Sequence, residues 1–209
     1  MTMMRLFITS TSPFALKVRV AIRERGLEAI VTEVETKVRG PENEVLEHNP
    51  TGKVPALVID DGSDKGLVLL ESTLIGEYLE QFGNAPPLMP KEGRAMWDER
   101  ALDAYAHSLM DSLAWRTREF RKPEADQYGP FIAYEQGRAM RCFAELEGQM
   151  DELERLEISL SRIMLVLCLY YQSWRFPDQD WRTDSPRLAG WYERMIARPS
   201  FQSVLPVPS

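Results

Sequence analysis

Cysteine and histidine are scarce in this chain of 209 residues, and their scarcity argues against several kinds of protein. The two cysteines, Cys142 and Cys168, lie far apart and form no CxxC pair, so we expect buried thiols rather than a disulfide framework. The two histidines, His48 and His107, have no cluster of Cys or His around them, which argues against a tetrahedral zinc site. We therefore expect no bound metal.

Long apolar runs and an excess of positive charge are also missing. The longest apolar run, Ile163–Tyr171, has about half the length of a membrane-spanning helix. Residues 1–6 lack the apolar core of a signal peptide. Lys and Arg number 25 against 32 Asp and Glu, and this net charge of -7 argues against binding a phosphate backbone. We therefore expect a cytoplasmic protein with neither a membrane nor a nucleic-acid partner.

The first half of the chain alternates strand patterns with helical ones. The hydrophobic content of 44% and the charged content of 27% are typical of a globular protein. Period-two and apolar runs predict four strands, and helical spacing predicts a helix that ends at Gly26 and a second helix later. This order predicts a mixed sheet with helices on its faces. The predicted strands are Arg5–Thr9, Ala29–Val34, Ala56–Ile59 and Leu67–Leu70, and the helices begin near Phe14 and Leu74.

The second half of the chain is predicted to be helical. Three prolines between residues 84 and 91 stiffen the chain and cannot lie inside a helix, which indicates an interdomain linker. Beyond them the strand patterns stop, and apolar residues recur at helical spacing. We therefore predict a first domain over residues 1–83, a linker over 84–91 and an all-helical domain over 92–209.

A hydroxyl group stands where the first strand passes into the first helix. In TSTSPF, residues 9–14, Pro13 suits the first helical position, which makes Ser12 the N-cap. A capping hydroxyl accepts from the helix amides and still has one proton to donate outward. That proton and the positive end of the helix would both favour a bound thiolate. Ser10 and Thr11 are close enough to supply the hydroxyl instead.

Two further motifs lie at the ends of predicted strands. In NPTGKVP, residues 49–55, a proline at the start of a strand removes a ladder donor. A cis Val54–Pro55 bond would turn the Val54 backbone outward to pair with an extended peptide, whereas a trans bond would make an ordinary turn. Where the last strand passes into a helix, Ser72 is a candidate N-cap with no capping box. That arrangement would leave helix amides free for a ligand carboxylate.

Together these motifs resemble the cytosolic glutathione transferase family, and the resemblance covers essentially the whole chain. The N-terminal half carries SPFxxKVR, NPxGKVPAL and ESxxIxEYLE, followed by a proline-rich linker. PRLAGWY, from residue 186, and ARPSF, from residue 197, are similar to the family's C-terminal helices. The resemblance implies a thioredoxin-like α/β N-terminal domain, an all-α C-terminal domain and, as is usual in the family, a homodimer.

The resemblance also implies a binding site for glutathione. Ser12 matches the residue that stabilises the glutathione thiolate in the serine-type members. Val54 precedes the family's cis-proline, here Pro55, and its backbone would pair with the cysteinyl part of glutathione. Glu71 and Ser72 match the pair that holds the γ-glutamyl end.

The resemblance extends to the glycine end of glutathione and to the second substrate. Lys53 stands where a Gln or Lys often reaches the glycine carboxylate. In the family the electrophile binds against the first loop and the long helix of the second domain, which makes Phe14, Asp111 and Trp115 candidate pocket residues. For Asp111 and Trp115 the alternative is a solvated helix face.

The motifs depart from parts of the family in two places. With Ser12 in place of a cysteine, no mixed disulfide can form there, which disfavours a glutaredoxin-like activity. Arg162 stands where many members have the aspartate of a Ser/Thr-x-x-Asp cap, so this cap must be made differently. We expect a transferase that joins glutathione, a consumed co-substrate, to an electrophilic and largely apolar small molecule. A glutathione-transferase-like binding or regulatory protein and a glutathione-dependent peroxidase or dehalogenase are the alternatives.

Overall fold

The structure, a computed structural model, describes residues 3–40, 42–155 and 157–206. These residues divide into two compact units, 3–96 with 199–206 and Trp97–Arg198. In chain order the elements are β1 (Met4–Ile8), α1 (Pro13–Arg25), β2 (Val31–Glu35), β3 (Ala56–Ile59), β4 (Val68–Leu70), α2 (Ser72–Leu79), α3 (Gly93–Phe120), α4 (Gly129–Gly148), α5 (Met150–Leu153), α6 (Leu160–Arg175), α7 (Pro186–Ile196) and α8 (Pro199–Gln202). Short 3-10 helices cover Glu44–Glu47 and Glu124–Asp126. The predicted fold class, an α/β unit and a helical one, is confirmed.

The first unit is built on a four-stranded mixed sheet with the strand order β2-β1-β3-β4. β1 pairs with β2 in parallel and with β3 antiparallel, and β3 pairs antiparallel with β4. In the register of the sheet, Phe7 near the end of β1 lies opposite Ala56 at the start of β3. Ala56 in turn lies opposite Leu70 at the end of β4. The end of β1, the start of β3 and the end of β4 therefore lie at one edge of the sheet.

Successive side chains of β1 point to opposite faces of the sheet, so the strand contributes to two separate apolar clusters. Leu6 and Ile8 point to the face covered by α1 and α2, where they pack with residues such as Val18 and Ile75. Phe7 points to the opposite face and packs in a smaller cluster formed by Val45, Ala56 and Val58. The larger cluster anchors both helices against the sheet, and so it fixes the positions of their N-termini.

Helix α1 begins and ends where its sequence predicts. Pro13 occupies the first position, and the side chain of Ser12 caps the helix. Gly26 closes it at φ 64°, in the left-handed region that favours glycine, and its N–H donates to the Arg23 carbonyl at 3.2 Å. The following N–H of Leu27 reaches the Ile22 carbonyl at 3.0 Å, so two carbonyls at the helix end are satisfied.

The proline-rich segment after α2 is tied to the first unit by one arginine. Arg25 is 5% exposed and donates to the carbonyls of Phe82 and Pro86, both at 2.8 Å, and to that of Ala85. Its Nε lies 3.5 Å from the Glu80 carboxylate. A planar guanidinium suits this task because its N–H groups diverge in fixed directions.

Residues 199–206 belong to the first unit. Arg19 in α1 donates to the Val204 carbonyl at 3.0 Å, and the Ser200 hydroxyl in α8 donates to the Glu24 carboxylate. The sequence predicts a helical domain over residues 92–209. In the structure, residues 199–206 pack with the first unit instead.

Helix α6 is the central helix of the second unit. Within the longest apolar run of the chain, Ile163–Tyr171, the residues from Ile163 to Leu169 have no exposed surface, so most of this run lies in the core. Cys168, on this helix, is a buried free thiol, and Cys142 is free and only partly buried. In the described ranges, no helix is long and apolar enough to cross a membrane.

The N-terminus of α6 is capped by a carboxylate from another helix. Ser159 accepts from the Arg162 amide at 3.4 Å, and Glu99 of α3 accepts from the Ser161 amide at 2.8 Å. The Glu99 carboxylate also lies 3.3 Å from the Arg162 guanidinium, and both side chains are buried. Glu99 therefore supplies the carboxylate that the local sequence lacks at the position of Arg162.

Candidate functional site

Ser12 stands at the positive end of α1 with its proton available. Its Oγ accepts from the Ala15 amide at 3.3 Å, and no described residue accepts a hydrogen bond from it. Ser10 and Thr11 are both exposed in the turn before the helix, and neither caps α1. A ligand atom at this helix end would meet a hydroxyl donor and the partial positive charge of the first-turn amides.

The loop before β3 is wound around a buried asparagine. Asn49 is 2% exposed, and its side chain donates to the Lys53 carbonyl at 2.9 Å and accepts from the Thr51 amide at 3.0 Å. Gly52 adopts φ 63°, and a Cβ there would lie 2.8 Å from the Asn43 amide nitrogen, so only glycine fits. These contacts fix the backbone that leads into Val54.

Two residues of this loop, Lys53 and Val54, present polar groups that have no partner among the described residues. The Val54–Pro55 bond is cis, one of the two alternatives that the sequence left open. Within the described part of the chain, no group pairs with the Val54 N–H or C=O, and no carboxylate pairs with the exposed Lys53 ammonium. The loop therefore presents one free peptide unit and one positive charge to a ligand.

Glu71, and not Ser72, is the N-cap of α2, which corrects the prediction from sequence. The Glu71 carboxylate accepts from the Thr73 amide at 3.1 Å, from the Leu74 amide at 3.2 Å and from the Ser72 hydroxyl at 3.2 Å. These amides are therefore not free for a ligand carboxylate. Glu71 adopts φ 76°, an uncommon conformation for this residue type that persists only where several contacts enforce it.

The three motifs meet at one edge of the sheet. Ser12 follows the end of β1, Val54 precedes the start of β3, and Glu71 follows the end of β4, and these strand ends lie side by side. The edge thus offers a hydroxyl donor at a helix end, an unpaired peptide unit, an ammonium group at Lys53 and a carboxylate. That set suits a short extended peptide with an anion opposite Ser12, a cation near Glu71 and a carboxylate near Lys53.

The three predicted pocket residues are placed in two different units. Phe14 is half-buried in the first turn of α1. Asp111 and Trp115 are exposed one turn apart on α3. Trp115 lines an open cleft of about 470 Å³ within the second unit, whereas Asp111 does not. The other residues that line this cleft are Glu119, Lys122, Tyr128, Phe131 and Glu135.

Burial perturbs a charged group of the second unit. Burial lowers the pKa of Arg116 to about 10, and its guanidinium stacks on the Phe176 ring at 3.8 Å. His107 lies 3.9 Å from the Asp103 carboxylate on the same helix. Within the described ranges, no group of three His, Cys, Asp or Glu residues has the geometry to hold a metal ion.

The burial of Lys17 and the capping role of Glu71 were not predicted from sequence. Lys17 is fully buried, and its Nζ lies 3.0 Å from the Thr73 hydroxyl. Its position was visible, because a lysine stands on the apolar face of a helix between Phe14 and Ala21. The capping role of Glu71 had no such signal, because a glutamate is not among the preferred N-cap residues.

Known proteins resemble this chain in sequence. Residues 11–81 match the family model described as glutathione S-transferase, N-terminal domain. The protein named uncharacterized GST-like protein YibF of Escherichia coli (strain K12) is 28% identical over 206 residues, 97% of this chain and 98% of that protein. A stringent starvation protein A homolog of Pasteurella multocida (strain Pm70) is 36% identical over 92 residues, 43% of this chain and 39% of that protein.

Solved structures resemble it along almost its whole length. The crystal structure of a glutathione transferase family member from Pseudomonas fluorescens Pf-5 with bound glutathione has a TM-score of 0.89 and 30% identity. The match covers 98% of this chain and 99% of that one. A crystal structure of a family member from the same organism, with bound S-(propanoic acid)-glutathione, has a TM-score of 0.86 and 30% identity and covers 98% of this chain and 100% of that one.

Proposed function

The chain belongs to the glutathione transferase family, and we propose that it binds glutathione at this sheet edge and transfers the glutathione thiolate to an electrophilic small molecule. The observation that carries the proposal is the Ser12 hydroxyl, which caps α1 and has no described acceptor for its proton. Val54 would pair with the cysteinyl backbone, and Lys53 would hold the glycine carboxylate. Glu71 and Ser72 would hold the γ-glutamyl end, with the Glu71 carboxylate facing the ammonium group.

The proposed reaction depends on the ionisation of the glutathione thiol. Deprotonation of the thiol leaves an anion that accepts a hydrogen bond from Ser12 and lies at the positive end of α1. Both interactions favour the thiolate, which is the nucleophile, over the thiol. The sulfur then forms a bond to an electrophilic carbon, and a leaving group departs or the neighbouring carbon gains a proton. Holding the thiolate in place supplies the rest of the acceleration.

A conjugate bound by a relative guides the choice of second substrate. The Pseudomonas fluorescens protein with S-(propanoic acid)-glutathione holds a glutathione whose sulfur carries a three-carbon acid. One route to such a conjugate is addition of the thiolate to the terminal carbon of propenoic acid, in which the carbon next to the carboxyl gains a proton. We therefore include unsaturated acids, beside apolar aryl halides, among the electrophiles for this chain.

A binding or regulatory protein is the second candidate function. One relative that matches less than half of the chain carries the name stringent starvation protein A homolog, which does not describe a transferase. In this alternative the fold and the sheet edge persist without turnover of an electrophile.

The test is a calorimetric titration of glutathione at two pH values, followed by product analysis. We expect saturable binding with release of a proton, and in Ser12→Ala binding with little release. Ser10→Ala and Thr11→Val are the matched controls, because both hydroxyls lie in the same turn and neither caps α1. Mass spectrometry should then detect a conjugate from a panel of unsaturated acids, aryl halides, haloalkanes and hydroperoxides, the last two testing dehalogenase and peroxidase activity.

Two outcomes would contradict the transferase proposal. Absence of binding at millimolar glutathione would refute it outright. Binding without turnover of any member of the panel would instead favour the binding or regulatory candidate.

We also propose that the chain forms a homodimer, as the family usually does. The first unit exposes apolar side chains that a second copy would cover, with Leu67 41% and Leu74 48% exposed. Light scattering during size-exclusion chromatography should give twice the mass of 24.0 kDa, and a single-chain mass would refute the dimer.

A further inference from the structure

Lys17 is a charged residue in a place where an apolar one would pack at lower cost. It lies in the second turn of α1, and none of its surface is exposed. Burying an ammonium group is costly unless it is hydrogen-bonded and opposed by negative charge, and a methionine would fill similar space without that cost. The charge at this position therefore indicates a role beyond packing.

One contact of Lys17 leads to the N-terminus of α2. Its Nζ lies 3.0 Å from the hydroxyl of Thr73, the second residue of that helix. The amide of Thr73 donates to both oxygens of the Glu71 carboxylate at 3.1 Å. A continuous path thus runs from α1, which Ser12 caps, to the residue proposed to bind the γ-glutamyl ammonium.

The contacts from Lys17 through Thr73 support the backbone at Glu71. Glu71 adopts φ 76°, and a residue in this region is held there only when its neighbours enforce the conformation. The hydrogen bond to Lys17 fixes the Thr73 side chain, and it places a positive charge beneath the first turn of α2, where the helix amides already favour anions.

We propose that Lys17 is a positioning residue for the γ-glutamyl end of the bound thiol. Through Thr73 it holds Glu71 and the first turn of α2 in the geometry that binds this end, and it does not touch the ligand. The proposal rests on glutathione binding at the sheet edge, and it adds a residue outside the set that contacts the peptide.

Three thiols separate a positioning role from a general structural one. Glutathione and γ-glutamylcysteine both carry the γ-glutamyl group, whereas cysteinylglycine lacks it and keeps the thiol and the glycine end. The variants are Lys17→Met, which removes the ammonium, Lys17→Arg, which keeps a buried cation, and Thr73→Val, which removes the same hydrogen bond with little change of shape. Binding of each thiol is measured by calorimetry, and folding by circular dichroism.

We expect Lys17→Met and Thr73→Val to raise the Kd of the two γ-glutamyl thiols about tenfold or more and that of cysteinylglycine less than about twofold. Lys17→Arg should retain most of the wild-type affinity. Equal weakening of all three thiols, or no weakening, would overturn the proposal. If Lys17→Met does not fold, Thr73→Val decides the question alone. A wild-type protein that binds none of the thiols would refute the proposed function itself, so the two failures are distinguishable.

Discussion

Replacing Ser12 by alanine should raise the pKa of the bound glutathione thiol by about 1–2 units. The Ser12 proton has no described acceptor, so it is available to the thiolate. A hydrogen bond to a charged acceptor contributes about 1.5–3 kcal/mol, and one pKa unit corresponds to about 1.4 kcal/mol. The first-turn amides of α1 remain in the variant and contribute about 0.3–1 kcal/mol. The pKa should therefore rise in Ser12→Ala and still lie below that of the free thiol.

The rate at neutral pH should fall because the fraction of thiolate falls. The hydrogen bond favours the charged form, so the wild-type thiol ionises at lower pH, and losing the bond moves the ionisation to higher pH. Below both pKa values kcat/KM should drop about 10–100-fold, and the loss should shrink as the pH rises past the pKa of the variant. Ser12→Thr keeps a hydroxyl at the cap and should stay close to wild type.

The assay combines ultraviolet titration of the thiolate in the glutathione complex with the pH dependence of kcat/KM. Ser12→Ala also loses an N-cap, worth about 1 kcal/mol, so unfolding is followed in parallel to confirm that the variant is native during the titration. An unchanged thiol pKa in Ser12→Ala would refute the reasoning. So would a larger shift in Ser10→Ala or Thr11→Val, because these side chains lie outside the helix cap.

The next two predictions concern Arg25, which binds carbonyls of the segment after α2, and Lys53, which would bind the glycine carboxylate. Arg25→Met should lower the free energy of unfolding by about 2–4 kcal/mol in urea, because carbonyls of the segment after α2 lose their donor, and Arg25→Lys should restore little of it. A loss below about 0.5 kcal/mol would show that this segment does not depend on Arg25. Lys53→Ala should weaken glutathione about tenfold and γ-glutamylcysteine, which lacks glycine, hardly at all. Equal weakening of both peptides in calorimetry would remove Lys53 from the glycine end.

The parts of the structure that were predicted from sequence depend on residues close together in the chain. The N-cap at Ser12 and the C-cap at Gly26 follow from the chemistry of single residues at helix ends, and both lie where the pattern places them. The four strands β1 to β4 follow from short apolar runs with turns between them, whereas their order in the sheet does not.

The contacts that were missed join residues distant in the chain. Lys17 and Thr73 are 56 positions apart, and Glu99 and Ser161 are 62 positions apart. Such pairs depend on how two helices pack, and no local pattern specifies it. The Val54–Pro55 bond is a related case, because the local sequence permits both isomers and the surrounding loop selects one.

Two glutamates that cap helices should separate binding from stability. Glu99 is 6% exposed and pairs with buried Arg162, so Glu99→Gln leaves an uncompensated cation while it keeps an acceptor for the Ser161 amide. We expect a loss of about 3 kcal/mol or more, which lowers Tm by roughly 10 °C, with glutathione affinity unchanged in protein that remains folded.

Glu71 caps α2 in the same way, but the residue is exposed at the sheet edge. Its hydrogen bonds to amides can be kept in part by glutamine, so Glu71→Gln should cost at most about 1 kcal/mol of stability. Its charge is what a γ-glutamyl ammonium would bind, so glutathione affinity should fall about tenfold or more. Thermal unfolding and calorimetry on both variants test the contrast. If Glu71→Gln loses stability and keeps its affinity, the carboxylate serves the helix alone, and the γ-glutamyl end must bind elsewhere.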